Sequence, residues 1–427
     1  MRVLIVGAGG REHVLAWAIS SSPLLDKLFV APGNPGTATL AVNVAIDVLN
    51  VPALVAFALA ENIDLVVPGP EAPLVAGLAD RLADAGIRCC GPSAAAAALE
   101  GSKIFAKGVC EAAGIPTARW EQFSDVISAT EFVGRRGVPL VVKADGLASG
   151  KGVVVTHSVP EAEAAIAELL RGGDSILIEE MLEGDEVSLF ALCDGTNALL
   201  LGAAQDHKRV GDGDTGLNTG GMGAVSPPAD FSLAAQHAAM DAFVRPALTE
   251  MAARGTPFVG VLFAGLMLTA DGARLIEYNV RLGDPEAQAL LPRLRFDLLA
   301  ALRAACDGTL DSMTATSWLD TACVAVVMAA RGYPGAFVSG TPVGGLERAA
   351  AVPHAAVFHA GTQLRDGAVV SAGGRVLTVC GTGADLATAR ANAYAGVAAL
   401  DFPGGFVRSD IGIRALSRSV TPGIVTP

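Results

Sequence analysis

Glutamate, asparagine and arginine occupy every second position in the segment LIEYNVRLGDPEAQ, residues 275–288. Alternate side chains of a strand share one face, so Glu277, Asn279 and Arg281 should point the same way. One carboxylate and one amide oxygen aimed at a common point suit a hard cation such as Mg²⁺. An arginine fork beside that point suits a phosphate or a carboxylate. Ile276 and Tyr278 are then expected on the opposite face, against a core. A solvated edge strand would show the same alternation, so other segments must decide.

Lys143 lies in VPLVVKADG, where its apolar neighbours desolvate its ammonium. A buried lysine needs a partner to keep its charge. A phosphate oxygen would serve, and so would a structural carboxylate. Next comes GLASGKG, with Gly146, Ser149, Gly150, Lys151 and Gly152. Its glycines let backbone N–H groups approach an anion closely. It is not a Walker A loop, because the glycine spacing is one residue short and Gly152 stands in place of Ser or Thr. It leads into a strand, which suits a hairpin flap over a triphosphate. Residues 176–182 could form the strand and connector against which an adenine lies. Backbone groups of Glu180 and Leu182 would read its edge, and Glu186 could accept from ribose hydroxyls. Glu179 and Glu180 could equally be surface charge at a strand end.

The segment QDHKRVGDGDTGLNTGGMG, 205–223, is too polar and glycine-rich for a core element. Lys208 and Arg209 bring positive charge, and Asp212 and Asp214 could bind an amine or help hold a metal.

The elements that must position these groups read as α/β throughout. In the first hundred residues, strands are expected at 2–6, 28–31, 64–67 and 87–90. Three of them run into the turns GAGG, PGNPG and PGPEAP. That is the pattern of a doubly wound parallel sheet, whose ligands sit at the carboxyl ends of the strands. Three domains are expected: an N-terminal substrate-binding domain at 1–102, a central nucleotide-binding domain at 103–320 with a mobile α/β subdomain at 117–188, and a mixed α/β C-terminal domain at 321–427. The alanine-rich stretch 94–98 marks the first boundary. In the centre, a helix is expected at 103–113, strands at 140–144, 153–156, 176–179, 258–268 and 275–278, and a helix at 161–170. The last region should hold strands at 323–329, 357–360 and 376–380 and a helix at 384–400.

The chain has 427 residues, 52% hydrophobic and 17% charged, with 30 Lys and Arg against 43 Asp and Glu. A net charge of −13 argues against nucleic acid as a partner, while leaving room for a local phosphate pocket. Seven widely spaced cysteines without a CxxC pair fit reduced thiols in a cytoplasmic protein and argue against a zinc site. No signal peptide or bilayer-length apolar run is expected.

Taken in order, these segments resemble the ATP-grasp fold, and more closely the glycinamide ribonucleotide synthetase family. The likeness rests on VLIVGAGGREH, VAPGNPGTA, VPGPEAPLVAG, LEGSKIFAK, VVKADGLASGKGV, QDHKRVGDGDTGLNTGGMGA, GVLFAGLM and IEYNVRLGDPEAQ. MAARGYPG and FHAGT extend it toward the C-terminus. It implies an ATP-dependent ligase that joins glycine to 5-phosphoribosylamine through glycyl phosphate, in purine biosynthesis. It implies Mg²⁺ or Mn²⁺ on Glu277 and Asn279. It implies ATP phosphate contacts from Lys103, Lys143 and the 146–152 flap, and adenosine contacts around Glu179, Glu180, Leu182 and Glu186. Phosphoribosylamine would sit near Gly9, Gly10, Arg11, Glu71, Asp212, Asp214 and Gly283. Arg281, Asp284, Lys208 and Asp214 would carry the chemistry, with Arg281 and Asp284 facing glycine and the reacting phosphate. A monomer is expected. The chain departs from the family pattern at Leu217, Val280 and Leu282, and in a short connector at 171–175.

Three rival functions read less well, one of them another ATP-grasp ligase such as a biotin-dependent or purine-pathway carboxylase, against which the 205–224 motif speaks. A nicotinamide dehydrogenase would need glycine or alanine where Glu12 stands, and an acidic residue after the second strand. The glycine turn is instead expected to cradle a sugar phosphate. A catalytically silent nucleotide-binding regulator would not need Lys143, Glu277, Asn279 and Arg281 together.

Overall fold

The computed structural model describes residues 1–147, 152–313 and 318–419. Its first sheet has five parallel strands in the order Val42–Asn43, Lys27–Pro32, Arg2–Gly7, Leu65–Pro68, Arg88–Cys89. Val3 to Val6 are wholly buried, as expected of a central parallel strand covered on both faces. The carboxyl ends at Gly7, Pro32 and Pro68 lie side by side in register, which brings the three expected turns to one edge. The short strand Val42–Asn43 was not legible as a strand, since two residues carry no periodicity.

The alanine-rich stretch forms a helix, Ala94–Gly101, capped by Ser93. Alanine is the best helix former, so this segment is an element and not a linker. It carries Glu100 into the site. The next helix, Lys103–Ala113, starts directly after it on a Ser102 cap and stops at Gly114 in the left-handed conformation.

A four-stranded antiparallel sheet follows, ordered Trp120–Phe123, Ile176–Glu180, Leu140–Ala144, Val153–Thr156. Helices Val126–Arg136 and Val159–Gly172 cover one face around Val142 and Ile178. Period two then places Lys143 and Glu179 on the opposite face. The edge strand and the first of these helices were missed. The strand is mostly exposed and lacks alternation, while the Asp125 cap on Ser128 was an overlooked helix start.

The largest sheet has nine strands and is antiparallel throughout. Its path runs Gly272–Asn279, Val259–Thr269, Asp185–Asp194, Ala198–Asp206, Gly223–Ser226, Ala322–Ala330, Arg375–Gly383, Ala355–His359, and Gly405–Phe406 pairs with Ala322–Ala330. It crosses position 320 without a break. Gly223–Ser226, at the exit of the polar segment, is a fully buried strand that joins the central and C-terminal pieces. A Cβ on Gly223 would lie 2.6 Å from the Ala325 carbonyl, so only glycine permits this pairing. One apolar core accordingly draws on Val3 and Ile5, Phe190 and Leu192, and Cys323, Phe358 and Cys380.

The first and last pieces also meet through buried histidines. His13 Nδ1 accepts from the His359 N–H at 2.8 Å, and Phe358 packs edge-on against the His13 ring. Burial lowers the His13 pKa to about 3, helped by His359, and burial lowers His359 to about 4. Folding therefore favours both neutral rings. Their contribution is complete above the unfolded value near 6.5 and shrinks as pH falls from there toward about 4, by about 1.4 kcal/mol per pH unit for each ring. The thermal midpoint should drop between pH 7 and pH 5. A His13→Gln variant should show a shallower drop over the same interval.

Candidate active site

The strand Gly272–Asn279 carries the central motif, with one departure from simple alternation. Glu277 pairs with Gly265 but Leu275 pairs with Leu266, so Ile276 is an extra residue in a β-bulge. Leu275 and Tyr278 therefore enter the core, not Ile276 and Tyr278 as expected. Tyr278 anchors the strand by donating its hydroxyl to the Phe243 carbonyl. Glu277 and Asn279 remain on the site face.

Arg281 is the hub. Its Nε donates to Glu71 Oε2 at 3.0 Å, and one Nη donates to Glu100 Oε1 at 2.8 Å and Asn279 Oδ1 at 3.2 Å. Glu100 Oε2 accepts from the Val280 N–H at 2.7 Å. Burial works against the Arg281 charge, but Glu100 and Glu71 outweigh it and raise its pKa. The two carboxylates respond differently. Burial raises Glu71 less than Arg281 and nearby hydrogen bonds lower it, so it ends below the ordinary value. Glu100 is more deeply buried and has Glu71 and Glu277 as like-charged neighbours, so its pKa rises.

Glu277 has no hydrogen bond or ion pair among the described residues, although burial alone would raise its pKa. Lys208, Lys143, Lys103 and Arg281 surround it and lower that pKa instead. An ionised carboxylate without a partner, beside the Asn279 amide oxygen, whose contact with the Arg281 fork is a long one at 3.2 Å, fits a divalent cation. No group of three or more metal-type side chains exists among the described residues. Two protein oxygens are the number a Mg²⁺ ion usually takes, with phosphate and water completing its shell.

Two of the lysines share one internal carboxylate. Lys143 Nζ lies 2.8 Å from Glu179 Oε2, and Lys107 Nζ lies 3.3 Å from Glu179 Oε1. Glu179, expected near adenosine, is thus the buried counter-charge of two lysines. Lys103 Nζ donates to the Gly146 carbonyl at 2.9 Å, and Gly152 accepts from the Ala144 N–H. Ser149, Gly150 and Lys151 lie outside the described residues. Glu180 takes the Arg119 N–H at 3.0 Å, and Leu182 lies in the half-buried connector after it. Glu186, expected on ribose hydroxyls, pairs with Lys208. Burial opposes the Lys208 charge, but Glu186, Glu277 and Asp206 raise its pKa.

The glycine turn is not an open phosphate cradle. Glu12 fills it: Oε2 accepts from the Gly9 N–H at 2.5 Å, and Oε1 pairs with Arg11 Nε at 2.7 Å. Cβ atoms on Gly7, Gly9 or Gly69 would each strike the Glu12 side chain, which explains why glycines stand there. Arg11 also donates to the Leu282 carbonyl at 3.1 Å, which places it against the 281–284 loop. Gly10 abuts Gln288, whose Nε2 donates to Asp284 Oδ1 at 2.7 Å. Gly283 abuts the Glu286 carboxylate. Arg375 pairs with Asp284 Oδ2 at 3.4 Å and also holds the Gly220 carbonyl.

Asp212 and Asp214 are already engaged. Asp212 accepts from the Ser409 N–H and hydroxyl, and Asp214 binds Arg408 and Arg414. Sequence reasoning missed Glu12, Glu100, Lys107, Gln288, Arg375 and Arg408. Glu12 and Glu100 sit inside recognised motifs and were legible there. Arg375 and Arg408 are isolated in sequence and only folding brings them to the site.

Replacing Arg281 by Met should leave the buried Glu100 without its counter-charge, at a cost of about 3–5 kcal/mol. Chemical denaturation should show part of this recovered in the Arg281→Met, Glu100→Gln double variant.

With the geometry described, similarity to known proteins is informative. Family models for the N, ATP-grasp (A) and C domains of phosphoribosylglycinamide synthetase match residues 1–100, 101–287 and 323–414. The phosphoribosylamine–glycine ligase of Brucella melitensis is 51% identical over 98% of this chain and 99% of its own length. That of Caulobacter vibrioides is 48% identical over 98% and 99%. A crystal structure of phosphoribosylamine–glycine ligase from Thermotoga maritima superposes with a TM-score of 0.83 at 33% identity, covering 96% of this chain and 100% of that one. Biotin carboxylase from Campylobacter jejuni, at 16% identity and a TM-score of 0.71 over 99% and 95% of the two chains, shares the fold. The three domain matches together span most of the sequence in the expected order, and the chain belongs to the phosphoribosylglycinamide synthetase family.

Proposed function

We propose that this chain joins glycine to 5-phospho-D-ribosylamine, forming glycinamide ribonucleotide, ADP and phosphate in purine biosynthesis. The observation that carries the reading is the unpaired Glu277 beside Asn279, ringed by three lysines and Arg281. Such a ring gathers the charge of a transferring phosphoryl group.

A carboxylate is a poor electrophile, so the reaction runs in two displacements. An oxygen of glycine attacks the γ-phosphorus of ATP, and the bond to the β-phosphate oxygen breaks. The neutral amine of phosphoribosylamine then attacks the carbonyl carbon of glycyl phosphate. The C–O bond breaks, phosphate leaves and the nitrogen loses a proton. No protein nucleophile is needed.

Lys103 and Lys143 are assigned to the ATP phosphates, together with the 146–152 flap. In the free protein Lys143 is paired with Glu179, and phosphate oxygens would share its ammonium on binding. Lys208, a charged neighbour of Glu277, neutralises the transferred group. Arg281 and Asp284 face glycine and the reacting phosphate. A divalent cation held by Glu277 and Asn279, Mg²⁺ or Mn²⁺, would supply further charge neutralisation at the phosphates. Connector 180–182 takes adenosine. Phosphoribosylamine approaches Glu71, Gly10, Arg11 and Gly283, with Glu12 excluding its phosphate from the glycine turn. Asp212 and Asp214 act through the hairpin they anchor, not by touching the amine. Excluding water protects the acyl phosphate, a task suited to the glycine-rich flap.

No helix among the described residues is long and apolar enough to cross a membrane. We assign the chain to the cytoplasm, working as a monomer on small molecules without nucleic acid.

ADP release should require ATP, glycine and phosphoribosylamine together, and Glu277→Ala should lower kcat by at least about 100-fold. Turnover without phosphoribosylamine, or with bicarbonate replacing glycine, would reassign the chain to another ATP-grasp reaction. Lys143→Met should raise the KM for ATP by about tenfold, one lost charge-assisted contact, with the KM for glycine little changed.

A further inference from the structure

Lys208 reaches the site from a segment that cannot fix its own conformation. Behind it runs the hairpin Arg209–Gly211 and Thr215–Asn218, largely exposed to solvent. An isolated two-stranded hairpin is marginal in water. Its tip turns through Gly213 and Asp214, with φ of +67° and +55°, the paired positive values of a tight hairpin turn.

What holds this hairpin comes from nearly two hundred residues away. The Arg408 side chain is buried and every nitrogen of its fork is bonded. Nε and one Nη grip both oxygens of Asp410, each at 2.7 Å. The other Nη donates to the Arg209 carbonyl and to Asp214 Oδ1, each at 2.9 Å. Asp410 in turn accepts from the Gly213 N–H at 2.8 Å. Ser409 binds Asp212, and Arg414 binds Asp214 Oδ2 at 2.7 Å. On the other side of Lys208, the His207 ring accepts from the Gly412 N–H at 3.4 Å. Both neighbours of Lys208 in sequence are thus bonded to the segment 408–414.

We propose that Arg408 is a positioning residue for the ligase reaction: through the Arg209 carbonyl and Asp214 it fixes the backbone that aims Lys208, without touching substrate itself. The proposal rests on the ligase reading above. A bidentate carboxylate and a carbonyl held by one planar fork cannot be reproduced by a point charge, so lysine is not a conservative replacement here.

The test is steady-state kinetics of the full chain, with each substrate varied, on Arg408→Lys and Arg414→Ala. Hydrogen exchange over 209–218 and thermal melting are measured alongside. Arg408→Lys should lower kcat by about 10- to 100-fold, the scale of a misplacement of about an ångström. The KM for ATP should stay within about twofold, because Lys103 and Lys143 lie on other elements. Exchange over 209–218 should rise. Arg414 is exposed, so its removal tests the latch without threatening the fold, and it should lower kcat a few-fold in the same pattern. A loosened hairpin with unchanged kcat in folded Arg408→Lys overturns the proposal. So does a loss of apparent kcat that matches the loss of folded fraction measured by melting, since fewer active molecules lower kcat and leave every KM unchanged. Should Arg408→Lys fail to fold, unchanged kcat in Arg414→Ala despite faster exchange overturns it. A wild-type chain that makes no glycinamide ribonucleotide would instead defeat the ligase reading beneath it.

Discussion

The site depends on one buried guanidinium. Arg281 joins Glu71 and Glu100 from the first hundred residues to Asn279 on the central sheet. A charge removed from water is tolerable only when its partners are in place and well aligned. The parallel sheet must therefore dock on the strand Gly272–Asn279 in one orientation. Glu100 enforces that orientation twice, through the fork and through the Val280 N–H. Glu277 stays unpaired because the nearest cations are committed elsewhere. Lys143 is held by Glu179, Lys208 by Glu186, and Arg281 by its two glutamates.

This arrangement also explains how so many charges persist in a half-buried cleft before ATP arrives. Lys143 and Lys107 share the Glu179 carboxylate, Lys208 pairs with Glu186, and Lys103 rests on the Gly146 carbonyl. The glycine turn follows the same logic, since Glu12 supplies the anion that the helix start attracts. A turn of this shape usually suggests a bound phosphate, whereas here the chain provides its own.

The C-terminal region is built into the centre. Its strands continue the nine-stranded sheet, and Arg375, Tyr333 and Arg408 grip both ends of the polar segment. A β-sheet edge left open would be a liability, and strand Ala322–Ala330 closes one by pairing with Gly223–Ser226. The same pairing commits the exit of the polar segment to a fixed place.

The sequence by itself determined the local chemistry. Period two placed Glu277 and Asn279 on one face, apolar runs marked the parallel strands, and glycine and proline marked the turns at their ends. The ordered motifs carried the family resemblance. These signals are short-range, so they were legible without a fold. Tertiary structure alone decided which charges neutralise which. Glu179 faces Lys143 only because two antiparallel strands pair in one register. Ile276 leaves the core only because its strand bulges against Gly265 and Leu266. Arg408 reaches Asp214 across nearly two hundred residues. Pairings of this kind depend on long-range register and on burial, which set each carboxylate's partner and charge, and neither is written in any single segment of the chain.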